Sequence, residues 1–217
     1  MSEPADTTPD LAARRLHQAL GLLAACDADV ARAIERVGLP APRARPPGFA
    51  TLLRIITAQQ LSTKAAAAIQ ARLEAAMGHQ VAPDAYLALD DATLRACGLS
   101  ARKVLYGRAL AEASASGRLD LDALAEATDE EVIAVLTALP GFGRWSAEIY
   151  LLFALDRLDV LPADDLALQI GFQRLKRLDE RPKAKAFRAA TEFWAPWRGA
   201  GSILLWHFYG AATLDER

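Results

Sequence analysis

Leu139-Pro-Gly-Phe-Gly-Arg-Trp-Ser-Ala-Glu148 and, after an apolar stretch, Val160-Leu-Pro-Ala-Asp-Asp-Leu-Ala-Leu-Gln169 decide the fold of this chain. Pro140 and Gly141 end one helix, and Gly143 allows a tight turn before the next helix starts. A helix, a Gly-x-Gly turn and a second helix leave backbone N–H groups pointing out of the hairpin. Such groups, reinforced by the helix dipole, suit a phosphate. Any αα-hairpin with two glycines has the same outline, so the turn alone decides nothing. Asp165 changes the balance: it stands twenty residues after Trp145, beside Asp164 and just ahead of another amphipathic helix.

The 217 residues suffice for a full core, as one domain or two packed subdomains. No apolar run is long enough to span a bilayer, and the start, Met-Ser-Glu-Pro-Ala-Asp, has no signal-peptide character. Cys26 and Cys97 read as small core residues of a reducing cytoplasm, and neither zinc-ligand nor iron–sulfur spacing is present. The net charge of −2 is unhelpful for binding nucleic acid, but it is unevenly spread. Residues 43–110 carry +5, residues 111–168 carry −9, and residues 169–217 carry +4, so a basic face is compatible with the total. Charge runs usually mark solvated faces, and the pattern is weak support by itself.

Residues 1–9 read as disordered. Apolar residues at 11, 16, 19, 20, 22 and 23 predict a helix from Asp10, followed by one from Ala28 to Val37 with Gly38 as its stop. Residues 39–48 form a stiff basic connector. Phe49 opens a helix ending near Gln59-Gln60, and Ser62 caps a long helix reaching Met77. Short helices follow Pro83 and Asp90. Ser100 starts another, and Thr128 to Glu131 has capping-box spacing. Beyond Asp165, two amphipathic helices carry Arg174, Lys176, Arg177, Lys183, Lys185 and Arg188. No stretch alternates like a strand, and no solenoid repeat is present. The fold class is all-α.

Four ordered segments between about residues 46 and 210 carry a resemblance: Ile55-Ile-Thr-Ala-Gln-Gln-Leu-Ser62, Pro140-Gly-Phe-Gly-Arg-Trp145, Leu161-Pro-Ala-Asp-Asp165, and Pro196-Trp-Arg198 with Trp206. Together they resemble the 3-methyladenine DNA glycosylase II family of the helix–hairpin–helix DNA glycosylase superfamily, in a short form without the family's N-terminal β-domain. The resemblance implies a two-lobed helical bundle, one lobe spanning 48–157 and the other combining 1–47 with 158–217, and an active cleft between them. It implies that Asp165 is catalytic and that Gly141, Gly143, Arg144 and Ser146 hold the DNA backbone. A residue of the 59–62 turn enters the duplex as a wedge; Gln60 aligns best, with Leu61 beside it. Read without the resemblance, Leu61 enters the core and the glutamines satisfy local backbone groups. The base pocket falls to Trp145, Trp206, Ile149, Leu166 and Phe49. Ile149 and Leu166 stand where the family carries aromatic residues, which affects the substrate range. No cofactor is implied, although the hairpin carbonyls of the family can hold a monovalent cation. The partner is double-stranded DNA containing alkylated bases, met in the cytoplasm at the nucleoid, with no obligate protein partner.

The residues fit that chemistry. Breaking an N-glycosidic bond builds positive charge on the sugar, which a fixed, ionised carboxylate stabilises. Asp165 also reads as a plain helix N-cap, and the two roles are compatible. Asp164 is the structural neighbour. Trp145 stands where lyase members carry a lysine, and an indole cannot form a Schiff base, which points to hydrolysis alone. The target nucleotide must be flipped out of the duplex. His207 reads as structural, and no His or Cys pair is set to protonate a leaving base. Purines already cationic through N3- or N7-methylation are therefore expected to leave ahead of hypoxanthine. Trp194 and Trp197 read as core. The alternatives are a non-catalytic helix–hairpin–helix DNA-binding module and a helical scaffold without a nucleic-acid role.

Overall fold

The computed structural model describes residues 8–215, with the side chains of 11–211. Among them every regular element is helical. The chain divides into two compact units, one formed by Arg45–Leu155 and the other by the residues up to Ala44 together with those from Asp156 onward. Arg45 falls in the first unit because its N–H donates to the Phe153 carbonyl at 2.7 Å. The disorder expected for residues 1–9 lies outside the described residues except at Thr8 and Pro9, which form the start of the first helix.

After α1 (Thr8–Cys26) and α2 (Ala28–Val37) of the other unit, the central unit runs α3 (Phe49–Ala58), α4 (Thr63–Ala76), α5 (Pro83–Leu87), α6 (Asp91–Ala96), α7 (Ala101–Ala115), α8 (Ala123–Glu126), α9 (Asp129–Thr137) and α10 (Arg144–Phe153). Side-chain oxygens open half of these helices. Ser62 accepts from Ala65 N–H at 3.2 Å, Asp90 from Thr93 N–H at 2.8 Å and Ser100 from Lys103 N–H at 3.3 Å. Thr128 and Glu131 form the reciprocal capping box their spacing predicts. The core is made by Leu52, Leu53, Ile56, Leu73, Val132, Leu136 and Tyr150, all fully buried. The short α8 has no sequence signal strong enough to announce it.

The second unit contains α1 (Thr8–Cys26), α2 (Ala28–Val37), α11 (Leu166–Lys176), α12 (Ala184–Ala190), a 3₁₀ turn at Glu192–Trp194, and α13 (Arg198–Asp215). In α1 the inward stripe is Leu16, Ala19, Leu20 and Leu23; Leu11 and Leu22 point out, 59% and 49% exposed. Cys26 is also exposed, unlike the buried Cys97, because it ends α1 with its thiol turned to the Leu23 carbonyl. Gly38 stops α2 by donating to the Ile34 carbonyl at 2.8 Å. An aromatic cluster of Phe172, Phe187 and Trp194 fills the centre, while Trp197 is only half-buried.

One buried polar knot ties this unit together. Asp27 caps α2 through the Asp29 N–H at 3.0 Å, receives Lys176 Nζ at 2.6 and 2.7 Å, and receives the Trp194 indole N–H at 2.7 Å. Its side chain is only 3% exposed. Burial would raise its pKa, but the hydrogen bonds from Lys176 and Trp194, the lysine's charge and the Asp29 amide outweigh burial and hold it below the ordinary 3.8. Lys176 is thereby spent inside the protein. The same holds in part for Arg188, which donates to the Leu161 carbonyl at 3.0 Å, and for Arg174, stacked over Tyr209. Half of the basic residues expected on these helices therefore serve the fold.

Removing Asp27 leaves the part-buried Lys176 ammonium with the Asp29 carboxylate alone, at 2.9 Å, and strips the buried Trp194 indole N–H of its acceptor. Asp27→Ala is expected to cost roughly 2 kcal/mol or more in urea unfolding, from the unsatisfied indole N–H and the lost helix cap. Because the folded pKa lies below the unfolded one, the ionised carboxylate's contribution is complete above about pH 4 and is lost as pH falls through the folded value. Asp27→Asn should flatten that acid limb of the stability profile; an unchanged limb would assign it to other carboxylates.

Candidate active site

In the central unit the hairpin lies between α9 and α10. Gly141 has φ +88°, and a Cβ there would lie 2.3 Å from the Tyr106 ring, so both backbone and packing demand glycine. Gly143 is different from expectation. Its φ of −103° and ψ of 174° are ordinary extended values, and a Cβ would meet nothing within 4 Å. The chain's own turn does not need glycine at 143; its absent side chain leaves an open approach to the start of α10, where no side chain supplies a cap.

Arg144 is half-exposed and engages Glu130 at 2.7 Å and Glu148 at 3.1 Å, which fixes it across the hairpin. Ser146 is 3% exposed and its hydroxyl accepts from Gln59 Nε2 at 3.1 Å, so only its backbone can serve a ligand. The same amide donates to the Gly141 carbonyl at 2.9 Å, and the Leu139 carbonyl accepts the Phe142 N–H at 3.2 Å. The Gly141 and Leu139 carbonyls each accept one such hydrogen bond and keep a second lone pair.

Gln59 also ends α3 at the turn that carries the wedge candidates. Gln60 adopts φ +58°, a left-handed conformation, and Gln60 and Leu61 are both exposed. Leu61 does not enter the core; it remains 41% exposed. Lys103 Nζ donates to the carbonyls of Thr57 at 2.8 Å and Gln59 at 2.7 Å, its pKa lowered by burial, and completes the C-terminus of α3. Sequence reasoning missed both Gln59 and Lys103 as the braces of this turn. The doubled glutamine was visible, but nothing in the sequence says which one faces inward.

Among the pocket candidates of this unit, Trp145 is half-buried at the start of α10 and Ile149 is 6% exposed one turn later. Phe49 is a core residue: it is 5% exposed and packs edge-on against Tyr86 at 6.3 Å. Its place at the first turn of α3 turns it inward with Leu52 and Leu53.

In the second unit, Asp165 caps α11. Its Oδ1 accepts the Leu168 N–H at 3.0 Å and the Trp206 indole N–H at 3.2 Å. The loop before it is anchored at two carbonyls, Leu161 by Arg188 and Ala163 by Gln169 at 2.7 Å; Gln169 is in turn held by Arg181. Asp164 points away from this arrangement, 59% exposed and 3.7 Å from Arg188. Leu166 is 56% exposed. His207 bonds the Val37 carbonyl at 2.8 Å, a structural tie. Arg43, which sequence reasoning left in the basic connector, brings its guanidinium over the Trp206 ring, 5.2 Å from the centroid.

Comparison with known proteins gives these features a family. The model describing HhH-GPD superfamily base excision DNA repair proteins matches residues 53–196. DNA-3-methyladenine glycosylase 1 of Schizosaccharomyces pombe is 38% identical over 161 residues, 73% of this chain and 71% of that protein. The 3-methyladenine DNA glycosylase of that yeast in complex with abasic DNA superposes with a TM-score of 0.83 at 33% identity, covering 92% of this chain and 98% of the other. A DNA-3-methyladenine glycosidase from Bacillus halodurans gives 0.77 at 35% identity, covering 91% of each. The chain thus belongs to the HhH-GPD superfamily of base excision DNA repair proteins.

Proposed function

We propose that this protein is a monofunctional DNA glycosylase that flips alkylated purines out of duplex DNA and hydrolyses their N-glycosidic bond, leaving an abasic site. The observation that carries the reading is the fixed carboxylate of Asp165, held by a helix start and by an indole N–H. Relatives named DNA-3-methyladenine glycosylases support the substrate class, and the related structure in complex with abasic DNA supports the partner. The protein would act in the cytoplasm at the nucleoid.

As the C1′–N bond stretches, its electron pair leaves with the base and positive charge grows on the sugar. Asp165 lowers the energy of that cation because its dipolar surroundings are already in place and need not reorganise. Water then adds to C1′ and loses a proton, with the carboxylate orienting it. A purine methylated at N3 or N7 departs neutral and needs no acid. Trp145 offers no amine for covalent capture of the sugar. The open start of α10 at Gly143 takes a DNA phosphate, and the braced 59–62 turn presents Gln60, with Leu61 beside it, to the space the base vacates. A non-catalytic DNA-binding module would use the hairpin but has no use for a carboxylate locked against an indole.

Asp165→Asn keeps the cap and the shape and removes the charge. Excision of 3-methyladenine should fall at least on the order of 10²-fold while affinity for lesion DNA changes little. Asp164→Asn should leave excision nearly intact. Wild-type turnover by Asp165→Asn, or an equal loss in Asp164→Asn, would contradict the assignment.

The two hairpin glycines separate folding from binding. Gly143→Val should fold normally, since a Cβ there meets open space, yet bind damaged and undamaged duplex equally poorly, because phosphate contacts carry no sequence information. Gly141→Ala should instead destabilise the protein through its collision with Tyr106. Undiminished DNA binding by folded Gly143→Val, measured by gel shift at low salt, would place the phosphate elsewhere.

A further inference from the structure

Arg43 belongs to no regular element. It lies in the extended segment after Gly38, which His17 ties down through the Pro40 carbonyl at 3.0 Å. Its side chain nevertheless reaches Trp206 and covers the indole face, 5.2 Å from the ring centroid, within the range of a cation–π contact. The edge of that same indole donates to Asp165. Arg43 also feels the carboxylate: loss of surrounding water lowers its pKa, and the charge of Asp165 opposes the decrease. A planar cation thus lies on the ring assigned to the flipped base, in the field of the residue assigned to catalysis.

We propose that Arg43 is a resident stand-in for a cationic base, a specificity-determining residue that keeps the Trp206 face occupied and yields it to a flat cation more readily than to a neutral purine. The proposal rests on the glycosylase reading of Asp165 and Trp206. A base cannot stack on that face until the guanidinium leaves. Departure is feasible, because the residue is more than a third exposed and its long side chain hangs from irregular backbone. Departure also forfeits the cation–π contact and the attraction of Asp165. An N3- or N7-methylated purine restores both in kind, and its charge repels the guanidinium outward. Hypoxanthine or an unmodified purine brings no charge and restores less. The exchange therefore penalises neutral bases at the point where they would bind. It adds discrimination at the binding step to that arising from leaving-group chemistry.

An arginine placed to assist the departure of neutral bases would lie at the edge of the base and donate to its nitrogens or oxygen. A guanidinium over the ring face occupies the base's own stacking position, and the two roles predict opposite results. Single-turnover excision of 7-methylguanine and of hypoxanthine, in the same duplex context, is measured for wild type, Arg43→Ala and Arg43→Gln. The ratio of the two rates is the readout, because it is independent of how much of each preparation is folded. Both variants should excise hypoxanthine faster, lowering the 7-methylguanine to hypoxanthine ratio by roughly threefold to tenfold. The glutamine variant tests the charge with much of the length retained. An unchanged ratio, or slower hypoxanthine release, overturns the proposal while leaving the glycosylase reading intact. Release of neither base by wild type overturns both.

Discussion

Two N–H groups converge on one oxygen of Asp165, the Leu168 amide at 3.0 Å and the Trp206 indole at 3.2 Å. Much of the second unit is arranged to bring them there. The amide is available because α11 begins at Leu166, and α11 begins there because Asp165 caps it. The indole is available because α13 packs along α11, where Gly171 lets the Leu205 carbonyl approach to within 3.0 Å of where a Cβ would be. Arg188, Gln169 and Arg181 hold the loop that delivers the carboxylate. Stability and the proposed chemistry share the same bonds, so a change that frees Asp165 to move also frays a helix.

The central unit follows a similar economy. Gln59 is the last residue of one structural task and the first of another: its backbone ends α3, and its amide bridges the Gly141 carbonyl and the Ser146 hydroxyl. The turn bearing Gln60 and Leu61 is thereby tied to the hairpin by side-chain bonds of about 3 Å, and Lys103 closes the turn from behind. A side chain that must push into a base stack needs a support that does not yield. The braced turn and the open helix start thus belong to one unit, which would give the proposed wedge and phosphate contacts a common support.

What the sequence made legible was mostly local. Caps at Asp27, Ser62, Ser100 and Thr128 and the stop at Gly38 are written in residue types whose short side chains or absent Cβ act within a few positions. Asp165 was legible in the same way, as the cap of α11. Contacts between distant residues were not legible. Nothing near Arg43 says that it stacks on Trp206, and nothing near Lys176 says that it is bound to Asp27, 149 positions away. Gly143 misleads: a glycine that looks necessary for a turn is conformationally optional.

The central claim is that Asp165 supports hydrolysis of the glycosidic bond of a charged base, without an amine nucleophile. Randomly methylated duplex DNA incubated with the wild-type protein reports on it directly, through chromatography of the freed bases and gel analysis of the strands. The account predicts free 3-methyladenine and 7-methylguanine in solution, with strand breaks appearing only after alkali. No released base, or breaks without alkali together with a borohydride-trapped protein–DNA adduct, would contradict it.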